Sequence, residues 1–172
     1  MATYVDLDSL HVPSAGTRPP SSWGAQVNAN MDYIYDELLA KLGQWTSYTP
    51  TLTQSATVSK TVTYARYRKV GRTVIGQIVL ACTSAGTAAN PILVGLPSLA
   101  VLGSNAPCGS GYVYDASAGL LYPAVCLLST TSVISFLPTT AAGSSVLGAA
   151  VMTAALASGD GINAMFHYES AS

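Results

Sequence analysis

The sequence predicts a mostly β protein: an N-terminal arm and an α-helix, followed by an antiparallel, jelly-roll-like β-sandwich. Three observations lead there. Short segments rich in β-branched and aromatic residues recur after residue 43, and Gly, Pro, Ser and Asn punctuate the gaps. Between residues 22 and 43 the apolar spacing is helical instead. Charge is scarce throughout, and scarce charge favours surfaces that meet other subunits.

The scarcity is quantitative. Charged residues make up 9% of the 172, against roughly 25% in ordinary soluble domains. A monomer of this length exposes on the order of 8,000 Å². Residues 73–114 contain no Asp, Glu, Lys or Arg, and neither do residues 116–159. Subunit contact removes neutral surface of this kind from water, and the alternative is a surface kept hydrated by its many Ser and Thr. A formal net charge of −1 gives no global attraction to nucleic acid or to an anionic membrane. The longest apolar run, residues 146–157, is too short to span a bilayer, so no membrane insertion is expected. No secretory signal is visible in residues 1–20. Cys82, Cys108 and Cys126 are odd in number and lack metal-ligand spacing, which predicts buried free thiols.

Residues 1–20 end in Gly16-Thr17-Arg18-Pro19-Pro20, where two prolines enforce an extended backbone. This is an arm, with Tyr4, Val5, Leu7, Leu10 and Val12 as apolar points for contact with a neighbour. The stem follows at residues 21–44, with Ser22 as N-cap and Gly43 as stop. Val27, Met31, Ile34 and Leu38 fall 4, 3 and 4 residues apart and form one stripe, extended by Trp23 and Leu42. The stripe fits a short coiled coil as well as packing on the chain's own domain. Tyr33, Tyr35 and Leu39 widen the apolar surface under either reading.

The remaining residues, 45–172, are assigned to the sandwich. Residues 61–69 and 73–81 flank Gly71 as a hairpin, and further strands are expected at 48–53, 92–96, 107–114, 120–128, 132–137 and 161–169. In the last, Ile162, Ala164, Phe166 and Tyr168 alternate with Asn163, Met165, His167 and Glu169. Residues 139–159 fit helix, strand or loop equally. Eight short strands at this spacing argue for a sandwich or jelly roll.

Catalytic chemistry finds little support. His167 is the only credible base, since His11 lies in the arm. His167 and Glu169 share a strand face, but a metal needs a third ligand and none is indicated. Gly109-Ser110-Gly111 lacks the G-x-S-x-G spacing of a nucleophile turn, and a bend or bulge explains its glycines. Asp115 and Asp160 adjoin expected turns, Asp160-Gly161 being a hairpin-type pair, and turn duty outweighs a role as paired catalytic carboxylates. No phosphate loop or dinucleotide fingerprint occurs, so no cofactor is expected. No catalytic residue and no metal site is assigned.

The one charge cluster is Arg66, Arg68, Lys69 and Arg72, with Lys60 nearby. Alternation puts Tyr64, Arg66 and Arg68 on one face. Arg beside an aromatic suits an anionic partner. Only two further basic residues exist, too few for a nucleic-acid stripe, so no nucleic acid is expected. A solvated hairpin, or contact with the acidic stem residues Asp32, Asp36 and Glu37 of a neighbour, is the simpler reading.

Three segments resemble small structural proteins of tailed phages, of the minor-tail, tail-fibre or head-fibre type. They are Trp45-Thr46-Ser47-Tyr48-Thr49-Pro50-Thr51-Leu52; Ala65-Arg66-Tyr67-Arg68-Lys69-Val70-Gly71-Arg72-Thr73-Val74, similar to a recurrent Tyr-x-x-x-Gly-x-x-Val hairpin; and Ser158-Gly159-Asp160-Gly161 leading to His167-Tyr168-Glu169. Pro19-Pro20 and Trp23 look like segments that join such domains to a particle. The resemblance implies a homotrimer in the virion, assembled in the host cytoplasm and attached through its N-terminal part to other tail or capsid proteins. It supplies no catalytic residue. A host surface glycan is the alternative partner, with Tyr112, Tyr114 and Tyr122 as its aromatic platform.

Overall fold

The structure is a computed structural model that describes residues 27, 28, 30–32, 34, 44–139 and 155–172. The chain divides into two units, Met1–Gln44 and Trp45–Ser172. In the first, residues 27, 28, 30–32 and 34 are helical. The arm, the Ser22 cap, the Gly43 stop, Trp23, Leu38 and Leu42 lie outside the described residues, as does most of the ambiguous segment 139–159.

The second unit is antiparallel β. Its strands are β1 (Thr46–Ser47), β2 (Leu52–Gln54), β3 (Ala56–Thr57), β4 (Lys60–Val70), β5 (Thr73–Cys82), β6 (Leu93–Gly95), β7 (Ala106–Asp115), β8 (Leu120–Leu128), β9 (Val133–Pro138) and β10 (Gly161–Glu169). They form one sheet in the order β1-β4-β5-β10-β7-β8-β9-β6-β2-β3. The described strands are thus continuous, rather than two separate sheets packed face to face.

Chain connectivity forces this sheet to curl. Laid flat, β3 and β4 would lie about 38 Å apart, eight strand spacings. Only residues 58 and 59 link them, a reach of about 10 Å. The sheet therefore rolls until its ends meet, and its inner face encloses a single core. Leu52, Val58, Ile78, Leu80, Val94, Phe136, Ile162 and Phe166 are buried there, drawn from both ends of the strand order.

One expected strand divides. Residues 48–53 were the expected span, but β1 and β2 flank a break at 48–51 and pair with β4 and β6 respectively. Pro50 has no N–H for a ladder, and the chain here crosses from one end of the sheet to the other. Ser55, at φ 65°, then closes the tight β2–β3 turn.

Two devices set which side chains face outward. In β4 the pairing with β5 shifts between Val62 and Tyr64, a bulge that changes the inward-facing parity. Val62 packs on the core before it, while Ala65 and Tyr67 do so after it. Tyr64, Arg66 and Arg68 consequently share the outer face. Gly71, at φ 58°, opens the two-residue β4–β5 turn, a conformation that suits glycine. In β7, a Cβ on Gly109 or Gly111 would overlap the β10 backbone at Met165 or Asn163. These glycines permit close strand approach. Ser110 sits between them opposite Met165 and Val125, just after a register shift in the β7–β8 pairing between Pro107 and Gly109, the bulge expected at these glycines.

Gln54 is a buried polar clamp with no counterpart in the sequence reading. Its Oε1 accepts from Leu156 N at 2.8 Å, and its Nε2 donates to Asn90 O at 3.2 Å. Its own carbonyl accepts from Thr87 N at 3.1 Å. The clamp ties β2 to two connecting segments, and a Cβ on Gly86 would collide with its side chain.

Candidate functional site

The ionisable groups of the second unit fall into two sets, and hydrogen bonding separates them. Asp115 ends β7, and its Oδ1 accepts from Ser117 N, Ser117 Oγ and Ala118 N at 3.0, 2.7 and 3.0 Å. The Ser117 hydroxyl, then the Ala118 amide, hold this carboxyl below the usual carboxylate range. Asp160 precedes β10. Its Oδ1 accepts from Ala116 N at 2.9 Å and its Oδ2 from Ala157 N at 2.8 Å. Three successive amides of the β7–β8 loop, residues 116–118, thus end on these two carboxylates. Both side chains are buried. The second turn lies at Ser158 and Gly159, with Gly159 at φ 99°, two residues before the expected Asp160-Gly161 pair.

The expected basic cluster also divides. Arg72, in the β4–β5 turn, is engaged by the chain's own C-terminal residues. It pairs with Glu169 at 3.2 Å, and its Nε donates to Ser170 O at 3.2 Å. Lys69 donates to Ser172 O. Arg66 and Arg68 turn the other way, over the ring of Trp45, at 4.6 and 5.5 Å from its centroid. Arg66 lies 5.2 Å from the Tyr64 ring as well, and its Nε and Nη2 both donate to Gln77 Oε1, at 3.2 and 3.0 Å. Neither guanidinium has a carboxylate partner among the described residues. The Nε of Arg68 is buried with no acceptor among the described residues.

These arginines stand at one end of a broad outer face. Strand register sets Tyr64, Val79, Asn163, Tyr112 and Pro123 in one row across β4, β5, β10, β7 and β8. Arg66, Gln77, Met165, Ser110 and Val125 form the next row. Tyr114 and Leu121 extend the far end, 39% and 52% exposed, and Met165 is 54% exposed in the middle. A shallow groove runs between Val79, Tyr112, Tyr114, Leu121 and Asn163. Asn163 Nδ2 donates to the Tyr112 hydroxyl at 3.2 Å and fixes that ring. Tyr122 is placed apart from Tyr112 and Tyr114: it pairs with Val113 and packs on the core side.

The other singled-out residues find plain surroundings. His167 is exposed on β10, and Glu169 beside it is engaged by Arg72. Among the described residues no three His, Cys, Asp or Glu side chains are grouped to hold a metal ion. Cys82, Cys108 and Cys126 are free and buried, and burial pushes their thiols up to about 11, 12 and 12. On the helix, Val27, Met31 and Ile34 are exposed, Met31 by 59%. No described helix is long and apolar enough to cross a membrane.

Trp45, Gln77 and Asn163 join the arginines only through sheet pairing. The one sequence signal was the alternation of Tyr64, Arg66 and Arg68. No protein-family model, curated protein or solved structure matches the chain.

Proposed function

We propose that the chain is a non-enzymatic structural component of a tailed-phage particle. It is a homotrimer, attached to tail or capsid proteins through its N-terminal part, and its curled sheet is a jelly-roll-like sandwich displayed outward. The observation that carries the reading is the apolar helix stripe: Val27, Met31 and Ile34 are exposed in the single chain. Isolated amphipathic helices are only marginally stable in water, and sister helices supply the missing cover. The engagement of Asp115 and Asp160 by backbone amides supports a structural role for both acids, and the sparse charge supports subunit contact.

Light scattering tests it. The wild-type protein should be a trimer at micromolar concentration, and Ile34→Asp should dissociate it by placing an unpaired charge in the seam. A wild-type monomer overturns the reading. A trimer that survives the substitution moves the decisive contacts to the second unit.

A second reading has its own support. Tyr112 and Tyr114 project from the same face of β7 beside Asn163, a pattern of rings and amides suited to the apolar faces and hydroxyls of a host surface glycan.

A further inference from the structure

We propose that Trp45, Arg66 and Arg68 form an oxyanion subsite that selects acidic glycans, through the carboxylate of a uronic or sialic acid. The proposal rests on the glycan-binding reading of the outer face and names the class of sugar.

Charge accounting leads to it. The second unit carries five basic residues, Lys60, Arg66, Arg68, Lys69 and Arg72, and three acids, Asp115, Asp160 and Glu169. Two of the acids accept hydrogen bonds from backbone amides and the third pairs with Arg72. Lys69 is taken by the Ser172 carbonyl. Lys60, Arg66 and Arg68 are left; of these, Arg66 and Arg68 are like charges two residues apart on one strand face, held over one indole without a carboxylate partner among the described residues. Cation–π attraction orients guanidinium groups but leaves their in-plane N–H donors free for a planar oxyanion. Two donors of Arg66 are spent on Gln77, which fixes its plane. The Nε–H of Arg68 is buried with no acceptor among the described residues, so the donors this guanidinium can offer a ligand are its Nη N–H groups.

The surroundings favour a saccharide over an acidic protein segment. From Tyr64 to Tyr112 is three strand spacings, about 14 Å, along a row whose polar members are the Asn163 amide and two phenols. Rings and amides at this spacing suit an extended oligosaccharide. Among the described residues, the formal charges of the face without an ion-pair partner are positive, and they lie at its β4 end.

Calorimetric titration of the full-length protein decides the matter. The probes are oligosaccharides of glucuronic, galacturonic and sialic acid, each beside its methyl ester, which keeps the rings and removes the charge. At least one acid form should bind at least tenfold more tightly than its ester. Arg66→Gln/Arg68→Gln should reduce it to the level of the ester, while Arg66→Lys/Arg68→Lys retains part of the preference and confirms a folded sheet. Equal binding of acid and ester overturns the subsite and leaves the glycan reading standing. Absence of binding across the panel overturns both. If the Gln pair dissociates the oligomer in light scattering, the arginines serve a subunit contact and the proposal falls.

Discussion

Two regions of the sheet treat charge in opposite ways. At the β7–β8 loop, Asp115 and Asp160 are buried and receive every amide from residue 116 to residue 118. On β4, Arg66 and Arg68 are half-exposed and stacked on Trp45, with no carboxylate partner among the described residues. A charge that terminates backbone amides is part of the fold, because those amides lose their acceptor when it goes. A charge left short of partners contributes little to the fold and remains available to something else. In a chain with so few charges, the contrast separates structural acids from binding bases.

The strongest way to break the comparison is at Asp160. Truncation by Asp160→Ala leaves two amides, Ala116 N and Ala157 N, without their charged acceptor. A loss of about 3 kcal/mol is expected, since bonds to charged groups contribute about 1.5–3 kcal/mol each and some amides recover water. Urea denaturation at fixed protein concentration measures it, the fixed concentration being needed because assembly itself stabilises. A change below 1 kcal/mol would show that this carboxylate is not structural.

Asp115 sharpens the same point through pH. Hydrogen bonds from Ser117 and Ala118 lower its folded-state pKa, so the folded state binds its proton less readily than the unfolded chain. The contribution is fully present above the unfolded value of about 3.9 and is lost as pH falls through the lower folded value. Stability measured by denaturant between pH 6 and pH 3 should decline at the acid end, and Asp115→Asn should remove part of that decline. An unchanged slope in the variant would dissociate Asp115 from the acid limb.

Much of this architecture was legible because local patterns and long-range pairing agree. The alternation of residues 161–169 gives the inward set Ile162, Ala164, Phe166 and Tyr168, all buried against β5 and β7. The β4–β5 hairpin follows from Gly71. Residues 48–53 misled because β propensity outlasts the point where Pro50 breaks the ladder. The site was harder to see. Alternation places Tyr64, Arg66 and Arg68 together, but Trp45 reaches them only because β1 pairs with β4, with Ser47 opposite Arg66. Lys69 and Arg72 look identical to their neighbours in sequence, and the C-terminal backbone claims them. Gln54 carries no signal at all, since a buried glutamine is specified by the segments that converge on it.

The smallest expected effect is the most diagnostic. Arg68→Met keeps an unbranched stem and a polarisable end to pack against Trp45. It gives up a cation–π contact of about 0.5–1 kcal/mol. In exchange it removes a buried donor that no group among the described residues accepts, a defect that costs about 1–3 kcal/mol, and relieves repulsion from Arg66. The terms nearly cancel or favour the variant, so the denaturation midpoint should stay or rise, within about 1 kcal/mol of wild type. An arginine whose removal stabilises the fold is one the fold does not require, and retaining it makes sense at a binding surface. A loss above 2 kcal/mol would instead make Arg68 a structural partner of Trp45. The contrast between structural acids and binding bases would then disappear, both regions being built on the same principle.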